Sequence, residues 1–169
     1  HVVELVIESN ACTLYSHPTQ HMTSSHMQRN VLASGDAGWV SKGEVYVIGR
    51  LGDACKIRGQ WVFPDDIEND IFRAFPKFIG QITMLLGNYD GRDLAVCLIK
   101  RRIDSIPKHV ESIIRRSIQD IPIYYIRVSS GDIARTTSGK IMRRCLWSKF
   151  TSGEFNHVQT IFDIKSLEK

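Results

Sequence analysis

The chain has 169 residues, 43% of them hydrophobic and 24% charged, with a formal net charge of +4. That is enough apolar material for one packed domain, or one small domain plus part of another, and it excludes a disordered or low-complexity chain. No stretch approaches the roughly 18 to 20 consecutive apolar residues of a membrane-spanning helix, and the N-terminus lacks signal-peptide order, so the expectation is a cytoplasmic chain with no membrane span.

In chain order, "VVELVIES" at 2–9 is a short strand, and 10–30 has no sustained period and is expected to be a loop. Two turn signals follow, Gly35 to Gly38 and Ser41-Lys42-Gly43, around β-rich sequence that ends in a strand from Glu44 to Ile48. After Arg50 the character changes. "KIRGQWVF" is strand-like, Pro64 stands where helices commonly begin, and Ile67, Ile71, Phe72 and Phe75 fall on one helical face. Gly80 to Leu86 and Leu94 to Ile99 form a hairpin with Asn88, Asp90 and Gly91 in its loop. Val110, Ile113, Ile114 and Ile118 mark a helix over 107–118, "IYYIRV" at 123–128 is a strand, and after an irregular loop a final helix starts near Ile141. The sum is an α+β fold, a central sheet flanked by helices, preceded by the last strands of a separate β unit.

The short basic clusters Lys100-Arg101-Arg102, Arg115-Arg116 and Arg143-Arg144 suit an acidic small molecule or protein better than nucleic acid. Cys12, Cys55, Cys97 and Cys145 are widely spaced, with no C-x-x-C pair, and are expected to be reduced. His17, His21 and His26 lie in polar loop sequence with no further ligand nearby, so no metal site is expected there.

"RTTSGKIMRR" at 135–144 places Lys140 behind Gly139. It is not a phosphate loop of the Walker type, because the preceding glycine is Gly131 and Ile141 stands where a magnesium-binding hydroxyl is required. Two readings remain. Ser138 could cap the final helix with Lys140 solvated in its first turn, although a cation there opposes the helix dipole. Alternatively, Gly139 opens the backbone so that Lys140 presents a flexible point charge to anionic oxygens. Asp36, in a glycine-rich turn, could accept bonds from two ribose hydroxyls, with Arg50 adding a charge-assisted contact; as isolated signals each is better explained as an ordinary turn.

In combination the residues resemble the adenylate-forming enzymes, whose pattern is a Gly-Asp turn, G-R-x-x-D-x-x-K-x-x-G-x-x-x-x-P-x-[DE]-I-E, and T-x-S-G-K-[IV]-x-R. Gly35-Asp36, Gly49-Arg50, Asp53, Lys56, Gly59, Pro64, Asp66-Ile67-Glu68, Thr136, Ser138-Gly139-Lys140 and Arg143 match it in order, over about Gly35 to Phe155. The aspartate of P-x-D-I-E and the closing S-G-E-F look more like fatty acyl-AMP ligases than acyl-CoA synthetases. Ala134, Trp61 and Cys55 depart from the pattern, where many relatives have proline, arginine and an aliphatic residue.

The resemblance implies that residues 1–51 are a remnant of the last β-subdomain of a large N-terminal adenylation domain, and that 52–169 are a mobile C-terminal α+β domain. It implies ATP-dependent activation of a fatty acid, with Mg2+ held mainly by the N-terminal domain, and transfer to an acyl carrier protein or the phosphopantetheine arm of a polyketide synthase. Lys140 would be catalytic, Asp36 and Arg50 nucleotide-binding, Asp53 the hinge, and Lys56 and Gly59 part of the acyl-transfer loop. Lys100 to Arg102 or Arg143-Arg144 could dock an acidic carrier, the alternative being a solvated basic face. The chain alone would be inactive. Competing readings are an acyl-CoA synthetase, an amino-acid adenylation domain, or a non-catalytic partner-binding domain.

Overall fold

The computed structural model of the chain describes residues 3–8, 31–100, 106–157 and 160–162. The expected loop at 10–30, with its three histidines, and Arg101-Arg102 lie outside them. Two compact units divide the chain, His1–Leu51 and Gly52–Lys169. Among the described residues no helix is long and apolar enough to cross a membrane.

In the first unit, strands β1 (Val3–Glu8), β2 (Val31–Ser41) and β3 (Glu44–Arg50) form an antiparallel sheet in that order. Lys42 and Gly43 close the β2–β3 hairpin with φ of 52° and 81°, the two left-handed residues of a tight turn whose twist suits the flanking strands. The turn expected over Gly35 to Gly38 is not one. β2 runs through it, and the glycines serve irregularities in the ladder instead: Gly35 has a φ of 71° and the register shifts between Ala37 and Gly38. Trp39 and Tyr46, cross-strand partners, stack on the exposed hairpin with ring centroids 5.4 Å apart.

The second unit opens with a miniature hairpin, β4 (Cys55–Ile57) and β5 (Gln60–Val62), where one strand was expected. Arg58 and Gly59, with φ of 47° and 83°, make the turn. Arginine is an unusual first residue for it, which hid the hairpin in the sequence. Helix α1 (Pro64–Ala74) begins as expected, with proline at its start, Asp65 and Asp66 at the positive end of its dipole, and Ile67 and Ile71 on its buried face.

Strands β6 (Ile82–Tyr89) and β7 (Arg92–Lys100) pair around a two-residue Asp90-Gly91 turn, so Asn88 belongs to the ladder and donates to Asp93 Oδ1 at 3.1 Å rather than sitting in the loop. Helix α2 (Lys108–Ile118) carries the chain over to β8 (Ile123–Val128), which lies parallel to β7, and β9 (Thr160–Phe162) completes the sheet in the order β6-β7-β8-β9.

The continuous apolar run at 94–99 has a direct cause: β7 is buried on both faces. Ala95, Cys97 and Ile99 join Ile67, Ile71, Val110, Ile114 and Ile118 in one core under α1 and α2. Leu94, Val96 and Leu98 join Ile126, Ile133 and Leu146 in a second core, to which helix α3 (Arg143–Thr151) contributes Leu146. The α+β class with a sheet flanked by helices is as expected from the sequence.

Candidate active site

Helix α3 starts at Arg143, not near Ile141, because the two preceding residues have other partners. Ile141 forms a β-bridge with Arg135, and the Met142 N–H donates to the Ala134 carbonyl at 2.9 Å. Ser138 therefore caps no helix, and Lys140 is not in a first helical turn; the solvated-helix reading of this lysine is overturned.

Residues 134–142 instead form a narrow loop bonded almost entirely to itself. The Thr136 N–H donates to the Lys140 carbonyl at 2.8 Å, and the Gly139 N–H donates back to the Thr136 carbonyl at 2.9 Å. The Lys140 N–H donates to Thr136 Oγ1 at 3.0 Å, and that oxygen shares a 2.9 Å hydrogen bond with Ser138 Oγ. Arg135 Nη1 donates to the Gly139 carbonyl at 2.7 Å. Gly139 has a φ of 83°, a conformation costly for a residue with a Cβ, and this reverses the chain ahead of the lysine. Lys140 is exposed, and among the described residues no carboxylate pairs with it.

Below the loop lies a buried ion cluster. Arg143 Nη2 donates to Glu68 Oε1 at 2.8 Å and to Asp65 Oδ1 at 2.6 Å, and Arg143 Nε donates to the Met84 carbonyl at 3.2 Å. The Met84 N–H donates to Glu68 Oε1 at 2.8 Å. Three elements, α1, β6 and α3, thus meet on one guanidinium. Burial works against the Arg143 charge, but Glu68, Asp65 and Asp53 outweigh it and hold its pKa above the ordinary value. This pairing was missed in the sequence, although a signal existed: Glu68 follows Ile67 and precedes Ile71 on a face that must be buried, and a carboxylate there requires a partner. Arg143 cannot belong to an exposed docking face, which corrects that half of the Arg143-Arg144 expectation.

Arg144 also has a local role. Its guanidinium occupies the space beside Gly52 so closely that an added Cβ there would collide with it. Gly52 and Asp53 are thereby adjacent to the first turn of α3. Lys56 is exposed on β4 opposite Trp61 on β5, also exposed, and Gly59 sits at the tip of the hairpin.

In the first unit, Asp36 and Arg50 are directly cross-strand, and Arg50 Nε lies 3.1 Å from Asp36 Oδ1. The Asp36 N–H donates to Ser34 Oγ at 3.0 Å. Among the described residues no group of three or more His, Cys, Asp or Glu side chains converges as a metal site.

No protein-family model matches the chain. Curated relatives do. Over 136 residues the chain is 29% identical to the long-chain-fatty-acid–AMP ligase FadD26 of Mycobacterium tuberculosis, an alignment that covers 75% of this chain and 23% of the relative. The chain is thus similar to fatty-acid–AMP ligases over three quarters of its length. The chain is likewise 29% identical over 139 residues to a protein of the same organism provisionally named as fatty-acid–CoA ligase FadD25, covering 75% of this chain and 23% of the relative. It is 26% identical over 139 residues to the medium-chain-fatty-acid–[acyl-carrier-protein] ligase JamA of Moorena producens, covering 72% and 22%. The chain spans less than a quarter of the length of each of these relatives. In fold it matches a solved structure from work on fatty acyl-adenylate ligases of E. coli and L. pneumophila, with a TM-score of 0.60 at 22% identity, over 76% of this chain and 24% of that one.

Proposed function

We propose that the chain is the C-terminal part of an ATP-dependent fatty acyl-AMP ligase, and that Lys140 is its catalytic cation. One observation carries the assignment of the residue: Lys140 stands exposed and unpaired, among the described residues, at the end of a loop whose hydrogen bonds are spent on its own backbone. A surface lysine kept only for solubility needs no such loop.

In this reading a fatty carboxylate attacks the α-phosphorus of ATP, pyrophosphate leaves, and Lys140 offsets the negative charge growing on the oxygens around phosphorus. Asp36 accepts from the ribose hydroxyls, oriented by the 3.1 Å contact with Arg50. Mg2+, when bound, would neutralise phosphate charge, and would be held by residues of the full-length protein outside this chain. Rotation about Asp53 then exchanges the Lys140 loop for the β4–β5 hairpin, with Lys56 and Gly59, at the site of acyl transfer. The acceptor is the phosphopantetheine thiol of a carrier protein, a choice supported by the name of JamA. The similarity to FadD25 favours CoA as the second reading.

The test is made on the full-length protein. Lys140→Ala is expected to lower fatty-acid-dependent ATP–pyrophosphate exchange by about 10²–10³-fold, the usual effect of losing one charge-stabilising group, while transfer from supplied acyl-adenylate continues. Equal loss of both half-reactions would refute the role. Offering holo carrier protein and CoA side by side decides between the acceptors. The 169-residue chain alone is expected to show no exchange.

A further inference from the structure

We propose that Arg143 is a positioning residue for Lys140: the buried Arg143–Glu68 pair sets the direction in which the lysine loop leaves the domain. The inference rests on the reading of Lys140 as catalytic.

The loop itself is well braced, but its backbone bonds join its own residues except at the far end, where the Met142 carbonyl accepts from the Leu146 N–H of α3 at 3.1 Å. Such a unit keeps its shape yet is free to tilt about its two ends. One end is held by Ile133, which is 5% exposed, and the other carries Ile141, packed half-buried against the same core. Apolar contacts of this kind restrain depth and are weakly directional. The directional restraint comes one residue beyond Met142. There Arg143 makes three bonds, to Asp65, to Glu68 and to the Met84 carbonyl, each with its own angular demand. Glu68 is fixed in turn by the Met84 N–H, so the carboxylate and the guanidinium hold the N–H and the carbonyl of one residue of β6. An arginine is required for this, because a lysine ammonium offers no planar fork with separate Nε and Nη donors. Asp53 adds to the attraction on Arg143, and Arg144 packs over Gly52, so the segment assigned as hinge is attached to the same end of α3 as the loop. Turning the domain about Asp53 therefore carries Lys140 as part of one rigid piece.

The experiment uses the full-length protein with Arg143→Lys, Glu68→Gln and, as the severe case, Arg143→Met. In Arg143→Lys and Glu68→Gln, amide hydrogen exchange at the anchored end of the loop, at Leu146, whose N–H bonds the Met142 carbonyl, is expected to rise about tenfold or more, while Cys97 and Leu98 in β7 keep their protection, since local and global openings are separable. The kcat for adenylation is expected to fall about tenfold or more with KM for ATP nearly unchanged, as for a transition-state contact, and Arg143→Lys is expected to retain more activity than Arg143→Met. Exchange rising equally in β7 and at Leu146 would make Arg143 a general stabiliser and overturn the proposal. So would unchanged Leu146 exchange and unchanged kcat in Arg143→Lys and Glu68→Gln, provided Lys140→Ala abolishes adenylation. If Lys140→Ala leaves adenylation intact, the catalytic reading itself fails, and the proposal falls with it.

Discussion

Arg143 and Glu68, 75 residues apart in the chain, share a 2.8 Å hydrogen bond with both side chains less than a tenth exposed. This pair ties the loop bearing Lys140 to α1, the first helix of the second unit.

Removing one partner leaves the other charged and buried. Arg143→Met is expected to destabilise the second unit by about 3–5 kcal/mol, the usual result of orphaning a buried charge. Arg143→Met with Glu68→Leu is expected to be less damaging than Arg143→Met alone, since no charge is then stranded. Asp65, whose side chain is 48% exposed, contributes less, and Asp65→Asn should cost under about 1 kcal/mol. Denaturant midpoints for the wild type, Arg143→Met, Glu68→Leu and the double variant, read as a double-mutant cycle, with Asp65→Asn measured beside them, check the ordering.

Gly87 on β6 lies beneath Trp147 of α3, and a Cβ at that position would stand 2.5 Å from Trp147 Cζ2. Gly87→Ala is expected to cost about 1–3 kcal/mol by overpacking. Combining it with Trp147→Leu, which vacates the space, should recover part of the loss. Thermal unfolding measures the cost, and tryptophan fluorescence should report displacement of the ring in the single variant.

At Gly139 there is no such neighbour: nothing lies within 4 Å of an added Cβ, yet φ is 83°. Gly139→Ala therefore tests backbone strain by itself, at about 1–2 kcal/mol for a left-handed residue. Strain of that size lowers the melting temperature by only several degrees, while Lys140 is displaced. The expected outcome is lost ATP–pyrophosphate exchange in a protein whose circular dichroism is unaltered.

Asp66 gives a pH-dependent prediction. Burial, then the charges of Asp65 and Asp70, raise its pKa above the ordinary 3.8. The folded state thus holds this proton more tightly than the unfolded chain, and the group's contribution to stability falls as pH rises from the ordinary value through the raised one. Asp66→Asn should remove that decline. Denaturant midpoints measured across the acid range, for the two proteins, would show the difference; an identical pH slope would contradict it.

Much of this was legible locally. Alternating and helical apolar periods located the strands and helices of the second unit, because burial selects residues by face. The β4–β5 turn was not, since its φ demand fell on Arg58 rather than on asparagine or aspartate. Nor was the start of α3. Helical spacing extends back to Ile141, but Arg135 and Ala134 take the partners that a helix would need.

By itself the sequence determined, through local apolar periods, that the chain carries an α+β domain behind a β segment, and it carries Asp36, Arg50, Asp53 and Lys140 in an order that resembles the adenylate-forming pattern. Only tertiary structure decided that Lys140 stands on a self-bonded loop instead of a helix, and that Glu68 and Arg143 answer one another. Both depend on hydrogen-bond partners that separate elements bring together, and no local pattern specifies those.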